Sequence, residues 1–301
     1  MRLWNVLTGL FKFLGICTRA INDFLGKNGP QLAAAISYFA FFSLFPLSLA
    51  IIFGLSFFLG PDSIEDLAQR VAEQAPVSKK TVSDVLTGTL SSRSLAGFAG
   101  IIGLLWAGTA VFGAIRKGVN ATWGITRPRP FLQERLIDIS LMLGAAILML
   151  VSISSTAILA FLREILSSET HIDGALFWDR LATLIPPALS FIVFTGIYWF
   201  LPNTKVKLKA ALPGAIAATI TFEFIKNAFV WYVGNYSIYS TVYGSVGSIV
   251  ALLSWVYMSA IILLFGSLIT YRYTTYRSAK ERQLEDIVEI ARASLQPVSR
   301  E

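Results

Sequence analysis

Long apolar runs without a single charge are the feature that most limits how this chain can fold. Four such runs, of 34, 22, 24 and 24 residues, cover positions 28–61, 94–115, 139–162 and 181–204. A helix needs about 20 apolar residues to cross the hydrocarbon core of a bilayer. The four runs therefore predict four membrane-spanning helices.

The C-terminal half of the chain adds two more predicted spans. Residues 210–233 are apolar apart from Glu223 and Lys226, and residues 227–271 then continue without a charge. A single span cannot be that long, and the glycines and polar residues of segment 234–247 break it, which leaves a sixth span at about residues 246–270. The sequence predicts an all-α, polytopic membrane protein with six transmembrane helices.

Composition excludes the main alternative classes. Hydrophobic residues make up 55% of the chain and charged residues 14%, whereas a soluble domain has roughly 25% charged residues. The one cysteine, Cys17, and the one histidine, His171, disfavour thiol chemistry and zinc hydrolysis. The sequence also lacks a Walker loop, GxSxG, HExxH or a carboxylate cluster. We therefore expect no enzymatic activity, catalytic residue, metal site or cofactor.

The distribution of Lys and Arg predicts the orientation. Eighteen of these residues fall in the N-terminal segment, the second and fourth loops and the C-terminal tail, and six fall in the first and third loops. Because basic residues concentrate on the cytoplasmic side, both termini are predicted to be cytoplasmic. Topology and anionic lipid explain the net positive charge, so we do not expect nucleic acid as a partner.

The chain divides into three predicted regions. Residues 1–27 have an amphipathic helical pattern, which predicts a helix that lies on the cytoplasmic leaflet or packs against the bundle. Residues 28–271 form the transmembrane domain, in which the external loop 62–93 is predicted to hold short helices. Residues 272–301 are predicted to form a helical tail in the cytosol.

Glu223, Lys226 and Asn227 are the candidates for function inside the membrane. Glu223 and Lys226 are three residues apart, which places them on one helix face with Asn227 beside them. Ionisable residues within a span are energetically costly and usually face a partner, a cavity or a transport path. The pair is either a structural ion pair or a participant in solute or proton passage, unless the helix boundary is set wrongly.

Three further sets of polar residues are weaker candidates. Tyr38, Ser43 and Pro46 lie in the long first span, where the proline predicts a kink that could line a cavity or could be structural. The outer polar loop with Asn235, Tyr243 and Gly244 fits either a re-entrant segment or an ordinary turn.

The third of these sets lies at the cytoplasmic end of the second span. Arg116, Lys117 and Asn120 come directly after the apolar run 94–115. Basic residues at this depth can bind a lipid phosphate, and they can equally serve as topology anchors.

Several motifs resemble the YihY/BrkB family of bacterial inner-membrane proteins over about residues 24–271. They are the Ser-Leu-Phe-Pro run at 43–46, segment 106–124, Phe-Leu-Pro-Asn at 200–203 with Leu-Pro-Gly at 212–214, and Tyr-Gly at 243–244 followed by Trp-Val-Tyr-Met-Ser at 255–259. One branch of the family also resembles Phe-Glu-Phe-Ile-Lys at 222–226. Many members have Gly-Ala-Glu where this chain has Gly266, Ser267 and Leu268.

The resemblance implies six helices and an inner membrane, but no established activity. Members were once labelled ribonuclease BN, but this label conflicts with the missing metal-binding and acid–base residues. Some members carry the name virulence factor, which concerns resistance at the cell surface. We expect a transporter or translocase of a lipid-related or small solute. The alternative is a non-transporting scaffold for envelope assembly. A polar cavity that reaches Glu223 would favour transport. Expected partners are membrane lipids and either a second copy of the chain or an envelope-assembly protein.

Overall fold

A computed structural model describes residues 19–55, 93–127, 129–167, 175–235 and 245–295, and these residues form seven helices. Residues 19–26 are helical and are labelled α1, and the residues before them lie outside the described part of the chain. The six long helices are α2 (Gly29–Leu55), α3 (Arg93–Thr122), α4 (Phe131–Ser167), α5 (Ala175–Phe200), α6 (Leu208–Asn235) and α7 (Ser245–Leu295).

Three of the long helices contain stretches with the length and hydropathy of a membrane span. These stretches are Thr183–Phe200 in α5, Leu208–Val233 in α6 and Ile249–Val288 in α7, and a shorter apolar stretch, Gly29–Leu44, lies in α2. The described residues thus confirm an all-α chain with several apolar helices, while six spans remain a prediction.

The long helices form a closed ring in which each packs against the next in the chain. The contacts run from α2 to α3, α4, α5, α6 and α7, and α7 returns to α2. Helix α7 also contacts α3 and α5, so it connects the two halves of the bundle. Large apolar side chains on the outside of the ring are exposed, among them Leu150, Leu184 and Ile220. Such an exposed apolar surface is suited to lipid.

Helix α6 ends at Asn235 and α7 begins at Ser245. Residues 236–244, which make up most of the predicted break 234–247, lie outside the described residues. Helix α7 then continues without interruption to Leu295, past the predicted start of the tail at residue 272. No Gly or Pro occurs between Ser267 and Leu295, so nothing in the sequence stops the helix. The predicted helix 1–27 is described only from residue 19, and the predicted loop 62–93 lies outside the described residues up to position 92.

Small residues allow α5, α6 and α7 to pack closely. A Cβ atom on Gly214 of α6 would lie 2.0 Å from Thr270 Oγ1 and 2.4 Å from the Gly266 carbonyl oxygen of α7. A Cβ on Gly266 would lie 2.2 Å from the hydroxyl of Tyr198 on α5. That hydroxyl is buried and donates to the Leu263 carbonyl at 2.9 Å. These glycines bring the three backbones together, as small residues do in membrane helices.

Polar contacts attach α1 and the residues that follow it to one end of the bundle. Lys27, just after α1, donates to the Thr122 carbonyl at the end of α3 at 2.5 Å and lies 4.6 Å from the ring centroid of Tyr271 on α7. Asp23 of α1 accepts a 2.6 Å hydrogen bond from Nε of Arg272. We call this end, which also carries the α3–α4 and α5–α6 connections, the basic end.

Candidate functional site

A cavity of about 490 Å³ lies inside the ring and is lined by all six long helices. Most of its wall is apolar, and the polar side chains among its lining residues are Ser190 of α5 and Ser259 of α7. We call it the central cavity. Its lining residues are Ile36, Ala40, Val111, Ile115, Leu148, Pro186, Leu189, Ser190, Val193, Phe194, Ile197, Phe222, Val256, Ser259, Ala260 and Leu263.

The two candidate charges in α6 form an ion pair beside this cavity. Lys226 Nζ donates to Glu223 Oε2, and Ser190 Oγ donates to Glu223 Oε1 at 3.2 Å. The Glu223 and Lys226 side chains are 20% and 33% exposed. Because Ser190 also lines the central cavity, its hydroxyl connects the cavity wall to the ion pair. Neither charge lacks a partner, which lowers the free-energy cost of holding both in an apolar bundle.

Asn227 does not join this pair through its side chain. Its Nδ2 donates to the backbone carbonyl of Glu223 at 2.8 Å, and the residue is exposed. Phe222, on the other side of Glu223, lines the cavity and packs against Phe194 and Trp255. The ion pair therefore borders an aromatic and apolar wall. The lining of this cavity does not form a continuous polar path, which is the feature expected of a transporter for a hydrophilic solute.

The candidates on α2 lie partly outside the central cavity. Tyr38 is 56% exposed and contacts Phe39 and Phe42, whereas Ile36 and Ala40 line the cavity. Ser43 Oγ donates to the Ala40 carbonyl at 2.7 Å.

Several other candidates fall where side chains are not described. Helix α2 continues through Pro46, whose side chain lies outside the described ones. The same holds for Asn235, the last residue of α6, while Tyr243 and Gly244 lie wholly outside the described residues. Their proposed roles stay predictions.

Arg116 has a role at the basic end that differs from a free interfacial cation. Its Nε and Nη2 donate to Asp138 Oδ1 and Oδ2 of α4 at 2.8 and 3.2 Å, and its Nη1 donates to Glu134 Oε1 at 2.5 Å. Arg116 and Asp138 are 4% and 1% exposed. The sequence analysis missed Asp138, although a signal was present. Asp138 and Arg116 are the charges that flank two neighbouring apolar runs at the same end.

Asn120 and Arg129 hold the α5–α6 connection against the α3–α4 connection. Asn120 Oδ1 accepts the backbone N–H of Asn203 at 2.8 Å. Arg129 donates to Asn203 Oδ1 at 2.9 Å and to the carbonyl of Pro202 at 3.1 Å. The Leu-Pro-Asn motif thus forms a contact between the two connections, and Asn120 contributes a hydrogen bond to it. Lys117, in contrast, is exposed.

Comparison with known proteins identifies the family. The model of the family described as "Virulence factor BrkB" matches residues 20–288, which is most of the chain. The chain belongs to the BrkB family. It is 32% identical over 247 residues to the "Putative ribonuclease-like protein YfkH" of Bacillus subtilis, covering 79% of this chain and 88% of that protein.

Two further similar proteins are described as UPF0761 membrane proteins. The one from Actinobacillus pleuropneumoniae is 28% identical over 262 residues, which cover 85% of this chain and 92% of that protein. The one from Xanthomonas campestris strain B100 is 27% identical over 260 residues, which cover 86% of this chain and 60% of that protein. No solved structure matches the chain.

The departure from the BrkB motif in α7 falls in the core. Leu268, at the position where the family resemblance leads us to expect a glutamate, is fully buried. The adjacent Ser267 is also fully buried, accepts a 3.1 Å hydrogen bond from Trp123 Nε1 and shares a 2.9 Å hydrogen bond with Thr122. This chain therefore fixes α7 against α3 through hydroxyl and indole groups, without a carboxylate at this position.

Proposed function

We propose that the protein is a bacterial inner-membrane translocase of a lipid-related solute, with both termini in the cytoplasm. The observation that carries the proposal is the central cavity, which is lined by all six long helices and touches the ion-paired α6 through Ser190. A cavity at the junction of every helix changes shape when any helix moves, so it suits a passage. The basic end then faces the cytoplasm, in agreement with the bias of Lys and Arg.

The apolar wall of the cavity favours a lipid-related solute over a small hydrophilic one. A hydrophilic solute that entered would lose hydration, and Ser190 and Ser259 offer it few hydrogen bonds. Ser259 already donates to the Trp255 carbonyl at 2.9 Å. An acyl or isoprenoid chain meets no such cost. The Glu223–Lys226 pair then lies beside the passage, where either charged residue can exchange its present partner for a polar group of the solute.

Transfer of a labelled phospholipid in proteoliposomes tests the proposal. The purified full chain would be reconstituted with fluorescent phosphatidylglycerol, and external dithionite would report the lipid that reaches the outer leaflet. The measurement would be made with and without an imposed pH gradient. Wild-type protein should accelerate the loss of fluorescence, whereas rates equal to those of empty liposomes under both conditions would refute translocation.

A matched pair of variants tests whether the central cavity is the path. Leu189→Trp places a larger side chain in the cavity wall, and Ile192→Trp places it on the same helix at a position that is 57% exposed. The cavity variant should slow transfer and the exposed variant should not. Equal rates for both variants would exclude the central cavity as the route.

The scaffold for envelope assembly stays the second candidate, because the ion pair lies against an apolar wall and satisfies its hydrogen bonds internally. A scaffold would complement a deletion strain equally well with Leu189→Trp and Ile192→Trp. A translocase would complement it with Ile192→Trp alone.

A further inference from the structure

Two adjoining cavities at the basic end are separate from the central cavity. The first, of about 370 Å³, lies between the α3–α4 and α5–α6 connections. The second, of about 340 Å³, lies among α2, α3 and α4. Arg116, Lys117 and Glu134 line both cavities, so the two meet at these side chains. We call them the basic cavity and the apolar-walled cavity.

Positive charge dominates the basic cavity. Its lining includes Arg116, Lys117, Arg127 and Arg129, and its acidic lining residue is Glu134. Arg116 is already paired with Glu134 and Asp138. The remaining three cations therefore exceed the negative charge available at the cavity.

The three remaining cations have no carboxylate partner within the described part of the chain. Arg129 donates to neutral acceptors, which are the side-chain oxygen of Asn203 and the carbonyls of Leu201 and Pro202. Burial, and then the charge of Arg116, lower the pKa of Arg129 by more than the nearby charge of Glu134 raises it. Lys117 and Arg127 are exposed, and no hydrogen bond or ion pair is formed by their side chains among the described residues.

The apolar-walled cavity has a different lining. Phe39, Gly113, Ala114 and Phe131 contribute apolar surface to its wall, and the charged residues Arg116, Lys117, Glu134, Arg135 and Asp138 line it as well. Cζ of Arg135 lies 5.3 Å from the ring centroid of Phe131. Phe131, at the start of α4, is 68% exposed, and the next residue, Leu132, is 75% exposed. An apolar surface that directly adjoins a group of cations is the arrangement found where a protein meets the headgroup region of a bilayer.

We propose that the two cavities together bind one phosphate-bearing membrane lipid, with the phosphate among Lys117, Arg127 and Arg129 and the glycerol and first methylenes against Phe131. Arg116 is then a positioning residue, because its bonds to Asp138 and Glu134 fix the floor that both cavities share. A free phosphate would use the same cations, but only a lipid would also gain from the apolar-walled cavity. The site does not depend on translocation through the central cavity.

Binding of short-chain lipids to the purified full chain tests this site. The protein would be held in an uncharged detergent and titrated with dioctanoyl phosphatidylglycerol, dioctanoyl phosphatidylcholine and glycerol 3-phosphate. Phosphatidylglycerol should bind most tightly and glycerol 3-phosphate least. Glycerol 3-phosphate that bound as tightly as phosphatidylglycerol would refute a lipid site, because the acyl chains would then contribute nothing.

A pair of double variants separates the cavity from general surface charge. Lys117→Gln with Arg127→Gln removes two charges from the basic cavity, and Lys205→Gln with Lys209→Gln removes two charges from exposed lysines that line neither cavity. The first double variant should weaken phosphatidylglycerol binding about tenfold, as expected for two partly exposed charge contacts. The second should leave the affinity nearly unchanged.

Two results would overturn the proposal. One is an equal loss of affinity in both double variants, which would show that net charge alone attracts the lipid. The other is unchanged affinity in the cavity variant. Thermal unfolding without lipid provides the folding control, since all four substituted side chains are exposed and each variant should unfold near the wild-type temperature.

Discussion

Arg116 of α3 holds the carboxylate of Asp138 on α4 through two hydrogen bonds, from Nε to Oδ1 at 2.8 Å and from Nη2 to Oδ2 at 3.2 Å. Both side chains are buried. Gly113, one turn before Arg116, lies next to this contact, and a Cβ there would be at about van der Waals distance, 3.4 Å, from Asp138 Oδ2. The pair fixes α3 to α4 where the two adjoining cavities meet.

Removal of Arg116 should therefore destabilise the protein strongly. Arg116→Met leaves Asp138 buried without a counter-charge and should lower the free energy of unfolding by about 3–5 kcal/mol, which is typical of a broken buried ion pair. Equilibrium unfolding of the purified protein in detergent measures this change. Arg116→Met combined with Asp138→Leu should recover much of the loss, because the fully buried carboxylate is then removed as well and the remaining partner of Arg116, Glu134, is 20% exposed.

Lys207→Met is the matched control for this prediction. It breaks the pair between Lys207 and Glu281, whose side chains are 72% and 44% exposed. Water and Arg277 still accommodate the Glu281 carboxylate after the substitution, so the free energy of unfolding should change little. If Arg116→Met were as mild as Lys207→Met, the buried pair would not be what joins α3 to α4.

The contrast between two ion pairs shows what the sequence could predict. Glu223 and Lys226 are three residues apart on one helix, so their contact follows from helix geometry alone. The contact of Arg116 with Asp138 joins two helices, and it depends on how far each helix is rotated toward the other. Sequence spacing does not determine that rotation. For the same reason the sequence did not predict the role of Ser190, because its hydrogen bond to Glu223 depends on the packing of α5 against α6.

Helix limits followed the sequence where turn residues are concentrated and departed from it elsewhere. The described ends of α6 and α7, at Asn235 and Ser245, lie at the two sides of the run of glycines and polar residues at 234–247. The extension of α7 to Leu295 follows from a different property, the absence of Gly and Pro between Ser267 and Leu295. Loss of hydropathy ends a membrane span, but it does not end a helix.

The purified wild-type protein should show no ribonuclease activity, even though one similar protein is named ribonuclease-like. The sequence motifs predict neither an acid–base pair nor a site for two metal ions, and the described residues contain no group of three potential metal ligands. Labelled RNA incubated with protein purified through two independent tags measures this. Activity that persisted through both purifications, and was lost on a substitution in this chain, would contradict the prediction.

Cysteine labelling in whole cells should confirm six spans with cytoplasmic termini. After Cys17→Ser, single cysteines at Ser78 and Ser168, which the sequence places in external loops, should react with an impermeant maleimide. A cysteine at Thr126, in the α3–α4 connection of the basic end, should react only after the cells are lysed. If cysteines at both Ser78 and Ser168 were protected in intact cells and reacted only after lysis, the result would contradict the proposed topology.

Substitution of the α6 ion pair should separate a structural role from a role in transport. Glu223→Gln leaves Lys226 without its carboxylate and should destabilise the protein, because an unpaired charge within a span costs roughly 2.5–3.5 kcal/mol on insertion scales. Glu223→Gln with Lys226→Met should recover much of that stability. Ser190→Ala removes one hydrogen bond to the Glu223 carboxylate and should cost about 1.5 kcal/mol, less than the loss of the ion pair. Unfolding in detergent compares the three variants.

The double variant decides between the two roles because it folds without the pair. If the pair only stabilises the bundle, Glu223→Gln with Lys226→Met should retain phosphatidylglycerol transfer and complement a deletion strain. If the pair exchanges a polar group beside the central cavity, the same protein should be stable and yet fail in both assays. Ser190→Ala should then fail in part, since its hydroxyl is the contact between the cavity wall and Glu223. A fully active double variant would remove Glu223 and Lys226 from the functional site.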